Sequence, residues 1–280
     1  MLTVGVLGCG LMGSGIAQVC AQSGHRTVVR EVDEALVEKG LGRIRAFLDA
    51  GVARGKTTPA AREATLANLT GTTEVADLAE ADFVVEAIVE NLEAKREMLA
   101  ALERVVRPDA LIASNTSSLC ITEMAASMEH PERFLGLHFF SPVPVMKLVE
   151  VIRGLATSDD TYRRGMDFAG TLGKDPVTAP DRPGFIVNRL LIPYLLDAIR
   201  AYESGVGTIE DIDKGMQVGC GHPMGPFTLL DFVGLDTTYY IANIMYEEFR
   251  DPRHAAPPLL RRMVAAGRLG RKSGRGFYTY

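Results

Sequence analysis

The chain has 280 residues, of which 47% are hydrophobic and 23% charged, and its formal net charge is −5. This length suits two ordinary domains, and this composition predicts a fully folded chain. The acidic balance argues against a nucleic acid or an anionic membrane as the main partner. No apolar stretch approaches the length of a membrane span and no leader-like segment opens the chain, so we expect a cytoplasmic protein.

The four cysteines lie far apart and form no C-x-x-C pair. This spacing argues against both a zinc site and a disulfide framework. We therefore expect Cys9, Cys20, Cys120 and Cys220 to be reduced thiols that pack in apolar surroundings, and we expect no metal site.

A glycine-rich turn follows the first predicted strand, Thr3–Leu7, and opens an amphipathic helix. The turn reads Gly8-Cys9-Gly10-Leu11-Met12-Gly13, which is the spacing of a dinucleotide-binding fingerprint. Gly8 permits the tight turn, Gly10 lets the backbone approach a pyrophosphate, and Gly13 lets the helix pack closely on the strand. The cofactor-binding residues predicted in this turn are Gly8, Gly10, Leu11, Met12 and Gly13.

An acidic residue, Glu31, ends the second predicted strand, eighteen positions after Gly13. Its carboxylate is placed to accept hydrogen bonds from the adenosine-ribose hydroxyls and to repel a 2′-phosphate, so we predict NAD rather than NADP as the cofactor. The preceding Arg30 is expected to point to the opposite face of the strand. A twist at the strand end is the alternative, and it would let Arg30 meet a phosphate.

The following segments alternate between helical and strand patterns. Residues 35–66 predict two antiparallel helices, with Arg54 and Lys56 at the tip between them. We expect these two cations to be solvated, and the alternative is that they meet a phosphate. Val75–Leu78 leads into a buried strand at 81–87, which precedes a helix at 92–105. Further strands are predicted at 111–114, 134–140 and 147–152. This alternation predicts an α/β fold of the Rossmann type, a doubly wound and mostly parallel sheet.

Beyond the Pro/Gly punctuation at 181–184, only helical periodicity remains. We therefore predict a NAD-binding domain over residues 1–182 and an all-α C-terminal domain over residues 183–280. Helices are expected at 185–202, 209–218, 227–232, 237–249 and 259–265. Thr208 and Asp211 have capping-box spacing, Gly219 and Gly267 are placed as helix stops, and Pro193 is expected to kink the first of these helices.

A histidine and a glutamate have the properties needed to oxidise a secondary alcohol, which requires a base for the hydroxyl proton. His138 stands at the end of a predicted strand, and imidazole groups titrate near neutral pH. The next strand carries Glu150, which a short connection through 142–146 can bring against one imidazole nitrogen to fix the tautomer. From the spacing alone, a hydrogen-bonded core histidine is an equal alternative.

Several motifs together resemble the L-3-hydroxyacyl-CoA dehydrogenase family, particularly its short 3-hydroxybutyryl-CoA type. They are the runs 85–91, 114–119, 137–150, 183–189, 223–226 and 270–278, and the resemblance covers essentially the whole chain. It implies NAD-dependent interconversion of a (3S)-3-hydroxyacyl-CoA and a 3-ketoacyl-CoA, an acyl-CoA thioester as substrate, and a homodimer formed through the C-terminal domain. The apolar runs 192–199 and 239–245 suit either such an interface or an internal core.

The resemblance favours a catalytic role for His138, oriented by Glu150, and it adds further site residues. It implies that Ser117 and Asn188 contact the substrate oxygen, and that Glu90 and Lys95 contact the nicotinamide-side ribose. On residue type alone, Ser117 or Thr116 equally suits a helix cap, Asn188 a tolerated helix residue, and the other two an exposed ion pair.

One residue departs from the family pattern without removing the base, and two alternative functions remain. Ser141 departs from the asparagine that is frequent at this place in the family, which puts contacts of the longer amide in doubt. The alternatives are an NAD-linked dehydrogenase of a free hydroxyacid such as gulonate, and a non-catalytic NAD(H)-binding protein on the same fold. The combination of Ser117, His138, Glu150 and Asn188 argues against the second alternative.

Overall fold

In the computed structural model, which describes residues 1–280, the chain forms two compact units, Met1–Asp181 and Arg182–Tyr280. The first unit contains every strand, and the second is helical apart from isolated bridges near its end. Each unit has its own hydrophobic core. None of the helices combines the length and the apolar character that crossing a membrane requires.

An eight-stranded sheet is the centre of the first unit. Its strands are β1 (Thr3–Leu7), β2 (Arg26–Arg30), β3 (Leu69–Thr72), β4 (Phe83–Glu86), β5 (Leu111–Ser114), β6 (Phe134–Phe139), β7 (Leu148–Arg153) and β8 (Asp175–Pro180). They lie in the order β3-β2-β1-β4-β5-β6-β7-β8, and every neighbouring pair is parallel except β6 with β7. The predicted α/β class with a mostly parallel sheet is confirmed.

The helices of the first unit are α1 (Leu11–Gln22), α2 (Glu34–Ala53), α3 (Pro59–Ala67), α4 (Leu92–Glu103), α5 (Ile121–Ala125) and α6 (Asp159–Thr171). Four of them begin at a side chain that accepts a hydrogen bond from a backbone N–H of the first turn. These capping residues are Asp33, Thr58, Asn91 and Ser158, for α2, α3, α4 and α6. Such caps satisfy donors that the helix itself leaves unpaired.

The strand order reverses between β1 and β4, which lie side by side. The chain leaves β1 toward β2 on one side, whereas β4 is followed by β5 on the other. The loops at the carboxyl ends of β1 and β4 therefore diverge and leave a crevice, which is where ligands bind in open α/β sheets.

Four elements of the first unit were not predicted. These are the short strand β3, the helices α5 and α6, and the edge strand β8. The strand β8 contains Pro176 and Pro180 and is mostly exposed, so its sequence lacks the apolar run of a buried strand. Val75–Leu78, expected to lead into the next strand, forms a 3₁₀ turn.

The second unit consists of α7 (Val187–Glu203), α8 (Ile209–Lys214), α9 (Pro226–Val233), α10 (Leu235–Phe249) and α11 (Pro258–Ala265). The predicted helices and the Thr208 cap, which accepts from the Asp211 N–H, are confirmed, and Pro193 lies inside α7. The helix at 209–218 continues beyond α8 as a π-helical turn, Gly215–Gly219. The apolar residues of 192–199 and 239–245 include the buried core of this unit, which favours the core interpretation of both runs.

All four cysteines are free thiols. Cys9 and Cys20 are buried, and burial raises the pKa of the Cys9 thiol to about 11 and that of Cys20 to about 12. The prediction of packing thiols is wrong for Cys220, which is exposed at the end of the π-helical turn. The glycine-rich sequence around Cys220 therefore indicates a turn at the surface and not a position in the core.

Candidate active site

The glycine turn between β1 and α1 has the conformation that its spacing predicts. Gly8 has a φ of +90°, and a Cβ atom there would lie 2.6 Å from the Ala87 carbonyl oxygen. A Cβ atom on Gly13 would overlap the Gly8 carbonyl oxygen, so the helix approaches the strand more closely than any side chain allows. Gly10 is the residue before α1, and a Cβ atom there would have no heavy atom within 4 Å, so the space at the start of the helix is open.

Leu11 and Met12 form the first turn of α1. The Leu11 side chain is exposed, and Met12 packs partly buried against the core, so neither side chain lines the crevice beside the turn. Their contribution to a cofactor is through the backbone, because the first N–H groups of a helix have no partner within the helix. These groups and the positive end of the helix dipole suit a pyrophosphate.

A cavity of about 670 Å³ lies beside the turn, in the crevice between the loops after β1 and β4. Its walls are mostly apolar and include Ile88, Val89 and Met98, which suits the flat face of an adenine ring. Glu31 lines the cavity, and its carboxylate accepts hydrogen bonds from the Cys9 N–H at 2.7 Å and the Val32 N–H at 3.0 Å. The carboxylate is therefore held beside the glycine turn.

Arg30 lines the same cavity, whereas the sequence led us to expect that it points away. Strand β2 ends at Arg30, so the alternation of faces does not extend to Glu31. The Arg30 Nε–H donates to the Thr73 carbonyl oxygen at 3.1 Å. Arg30 therefore borders the same crevice as Glu31, the residue predicted to bind the ribose.

A histidine and a glutamate face each other across the one antiparallel pair of the sheet. His138 on β6 is directly opposite Glu150 on β7, and His138 Nδ1 is 2.6 Å from Glu150 Oε2. The Glu150 side chain is fully buried, and that of His138 is 5% exposed. A carboxylate accepts only, so this contact makes Nδ1 the donor and directs Nε2 to the other side of the ring.

The second imidazole nitrogen faces a serine. His138 Nε2 is 3.1 Å from Ser117 Oγ, on the loop after β5. Neither Ser117 nor Thr116 caps a helix, because the next helix, α5, begins after Cys120; the Thr116 hydroxyl instead accepts from the Leu119 N–H at 2.9 Å within the loop. The Phe140 ring packs against the imidazole with centroids 4.5 Å apart. The structure therefore brings together three of the predicted site residues.

Glu90 and Lys95 form no exposed ion pair. The Lys95 side chain is 1% exposed, and its Nζ lies 2.6 Å from Glu86 Oε1 and 3.3 Å from Glu90 Oε2. Glu90 Oε1 in turn accepts from the Ser117 N–H at 3.1 Å and from the Thr116 hydroxyl. The surface interpretation of this pair is wrong because the Glu86 carboxylate, at the end of the preceding strand β4, closes over the lysine.

Comparison with known proteins identifies the family of the chain. Residues 3–182 match the family model described as "3-hydroxyacyl-CoA dehydrogenase, NAD binding domain", and residues 184–280 match "3-hydroxyacyl-CoA dehydrogenase, C-terminal domain". The chain belongs to the 3-hydroxyacyl-CoA dehydrogenase family. As a member of this family it is an NAD-dependent oxidoreductase. The glycine turn and the nearby Glu31 are residues of the types that suit this cofactor.

Relatives from distant organisms match this 3-hydroxyacyl-CoA dehydrogenase family member over nearly their full length. A 3-hydroxybutyryl-CoA dehydrogenase of Mycobacterium tuberculosis is 53% identical over 99% of this chain and 98% of its own. The human mitochondrial hydroxyacyl-coenzyme A dehydrogenase is 47% identical over 99% of this chain and 90% of its own. The crystal structure of (S)-3-hydroxybutyryl-CoA dehydrogenase from Ralstonia eutropha has a TM-score of 0.96 and 45% identity, covering 100% of this chain and 99% of that one.

Within the second unit of this family member, Asn188 is the second residue of α7 and is half-buried. The helix start at Val187 agrees with the expected place of Asn188 near the beginning of the first C-terminal helix.

Sequence reasoning missed two polar side chains that hold the loop around His138. The Asn115 Oδ1 atom accepts from the Phe139 N–H at 2.9 Å, and the buried Lys174 ammonium donates to the Met146 carbonyl at 2.8 Å. Burial lowers the pKa of Lys174. Asn115 follows Ser114 in a polar run after a strand, which is a signal of a site, whereas nothing in the sequence around Lys174 marks it.

Arg54 and Lys56, predicted to be solvated, line a second cavity of about 430 Å³. Its other walls include Phe47 on α2 and Pro144 and Val145, which belong to the segment between β6 and β7. The cavity is thus apolar with two cationic side chains, and it adjoins the segment that follows His138 along the chain. Such a lining suits an extended ligand with anionic groups at one end.

Proposed function

We propose that this protein interconverts (3S)-3-hydroxyacyl-CoA and 3-ketoacyl-CoA thioesters with NAD, and that His138 is the general base and acid. The observation that carries the proposal is the imidazole held between Glu150 and Ser117. The names of the Mycobacterium and Ralstonia relatives support a short acyl chain and the S configuration.

The proposed chemistry follows from the two hydrogen bonds of the imidazole. In the oxidation, His138 Nε2 accepts the proton of the substrate hydroxyl while the C–H bond breaks and the carbonyl forms. NAD, when bound, accepts the hydride from that carbon. Glu150 holds the Nδ1–H and stabilises the imidazolium that forms, and in the reduction the same proton returns to the oxygen.

Ser117 is proposed to hold the reacting oxygen beside Nε2, because its hydroxyl lies 3.1 Å from that nitrogen. An oxygen placed against both groups has its proton directed at the base, which is the near-attack geometry that speeds transfer. Asn188 is proposed as a further substrate-oxygen ligand, with the family match over residues 184–280 as its support. Glu90 is proposed to meet the cofactor ribose, since 29% of its side chain is exposed beside the Ser117 loop.

The CoA end of the substrate has a proposed place in the cavity lined by Arg54 and Lys56. CoA carries several phosphates at the end remote from the thioester, and cationic side chains attract phosphate. The apolar walls suit the pantetheine arm and the adenine ring.

NADH oxidation with acetoacetyl-CoA tests the proposed function directly. We expect turnover with this thioester and none with free acetoacetate, and L-gulonate with NAD tests the free-acid alternative. General-base catalysis contributes about 10²–10⁴-fold, so His138→Gln should lose about that factor in kcat. NADH binding without turnover on any ketoacyl thioester would refute the enzyme and favour a non-catalytic NAD(H)-binding protein.

We also propose a homodimer formed through the second unit. Its support is the set of large apolar side chains that stay exposed there, among them Leu190, Phe232 and Tyr240. Sedimentation of the purified protein tests this, and a monomer at micromolar concentration would contradict it. The cytoplasmic location stays a prediction, which fractionation of the native cells tests.

A further inference from the structure

Besides His138 and Glu150, the first unit contains a second buried pair of oppositely charged side chains, Lys95 and Glu86. Lys95 Nζ on α4 is 2.6 Å from Glu86 Oε1 at the end of β4, and their side chains are 1% and 0% exposed. Burying two charges costs solvation that their mutual attraction rarely exceeds, so such a pair is poor evidence of a contribution to stability. Its contacts indicate what it does instead.

Glu86 connects three segments at the carboxyl edge of the sheet. Its Oε2 accepts from the Ser114 hydroxyl at 2.5 Å, at the end of the neighbouring strand β5. Its Oε1, besides the lysine, accepts from the Ile88 N–H at 2.7 Å, in the loop that lines the cofactor crevice. The hydrogen bonds that this carboxylate accepts therefore hold the ends of β4 and β5 and the loop after β4.

Lys95 carries the connection onward to the Ser117 loop. Its ammonium also faces Glu90 Oε2 at 3.3 Å, and Glu90 Oε1 accepts from the Ser117 N–H at 3.1 Å and the Ser118 hydroxyl at 3.2 Å. Ser117 Oγ then lies 3.1 Å from His138 Nε2. An unbroken series of hydrogen bonds and ion pairs thus runs from Glu86 to the imidazole.

We infer that Glu86 and Lys95 are positioning residues for the reaction, an inference that rests on the proposed function. The buried pair fixes the Glu90 carboxylate, and Glu90 holds the Ser117 backbone so that its hydroxyl stays opposite His138 Nε2. Displacements of about 1 Å in such a geometry cost on the order of 10²-fold in rate. The Lys95 ammonium, held by two carboxylates, orders the Glu90 carboxylate whether or not it also meets the cofactor ribose.

The central variant is Glu86→Gln, which keeps the shape of the side chain and removes its charge. We expect kcat at saturating NADH to fall about 10- to 100-fold, and to fall by a larger factor than the Kd for NADH rises, because Glu86 also holds the Ile88 N–H of the cofactor crevice. The matched control is Glu103→Gln. Glu103 lies in the last turn of α4, the helix that carries Lys95, and it forms another buried ion pair, with Arg133 at 3.3 Å. Glu103 lies at the opposite end of α4 from Lys95, so its variant should lose stability and keep kcat.

A double variant separates positioning from stability. Glu86→Gln with Lys95→Met removes both charges, so no unpaired buried charge remains and the melting temperature should recover relative to either single variant. The double variant also takes the Lys95 ammonium away from Glu90, so kcat should stay low. Ser114→Ala, which removes one hydrogen bond to Glu86, is the milder variant if Glu86→Gln folds poorly.

Amide hydrogen exchange gives a readout that does not depend on turnover. The Ser117 N–H is bonded to Glu90, so Glu86→Gln should speed exchange in the peptide spanning 114–120 by about tenfold, and Glu103→Gln should not. If the wild type reduces no ketoacyl thioester, the proposed function fails, and exchange alone then decides whether Glu86 orders the loop.

Three results would overturn the inference. One is unchanged exchange at 114–120 in Glu86→Gln. Another is weakened NADH binding with kcat retained at saturation, which would make the pair part of the cofactor site. The third is recovery of kcat together with the melting temperature in the double variant, which would make the role purely structural.

Discussion

Replacing Glu150 by glutamine tests how the imidazole is oriented. The substitution keeps the size of a fully buried side chain and removes the charge that lies 2.6 Å from His138 Nδ1. A hydrogen bond to a charged group contributes about 1.5–3 kcal/mol, which corresponds to about 10- to 150-fold in the stability of the imidazolium. The glutamine amide can also donate to Nδ1, which would move the single ring proton to Nε2. That nitrogen then cannot accept the alcohol proton in the oxidation, and the imidazolium that donates the proton in the reduction is disfavoured.

We therefore expect Glu150→Gln to lose about 10²–10⁴-fold in kcat for NADH oxidation with acetoacetyl-CoA, with the Kd for NADH unchanged. Glu132→Gln is the matched control, because Glu132 forms an exposed contact with His130 at 3.4 Å and should keep full activity. A Glu150→Gln protein that is folded, binds NADH and retains kcat within about threefold of the wild type would refute the reasoning.

Three further predictions concern the cofactor, the substrate and stability. Glu31→Ser removes a carboxylate that would repel a 2′-phosphate and leaves Arg30 beside the crevice. The ratio of kcat/KM for NADPH to kcat/KM for NADH should therefore rise about 10- to 100-fold, and an unchanged ratio contradicts this. Replacing Arg54 and Lys56 by alanine should raise KM for acetoacetyl-CoA about tenfold with kcat unchanged, and an unaltered KM would remove the proposed CoA site. Burial lowers the pKa of His254 from its ordinary 6.5, so the unfolded state binds more protons and the free energy of unfolding should decrease as the pH falls below about 6.5. His254→Leu should reduce this acid sensitivity in melting curves, and an identical pH slope in both proteins would count against it.

Much of the fold was predictable from local sequence because its signals are local. The turn Gly8–Gly13 follows a strand and opens a helix within a few residues, and the structure gives Gly8 its positive φ. The helices of the second unit carry their caps and periodicity in the chain itself. The edge strand β8 was missed because its prolines and exposed residues resemble a loop.

The candidate site was predictable only where the chain carries a local motif. His138 and Glu150 are twelve residues apart and joined by a short connection, so their pairing followed from the sequence. The burial of Lys95 did not, because a lysine one turn into a helix is normally solvated and the carboxylate that covers it comes from the preceding strand. Arg30 was misjudged because β2 ends one residue before Glu31.

The antiparallel pairing of β6 with β7 limits how this protein can tolerate insertions. Side chains alternate between the faces of a strand, so one extra residue within β7 ahead of Glu150 would turn the carboxylate to the opposite face and leave His138 without it. The same insertion in the connecting segment 141–146 would keep the two residues opposite each other. Among descendants of this gene, length variation should therefore accumulate in that connection and be absent from the two strands it joins.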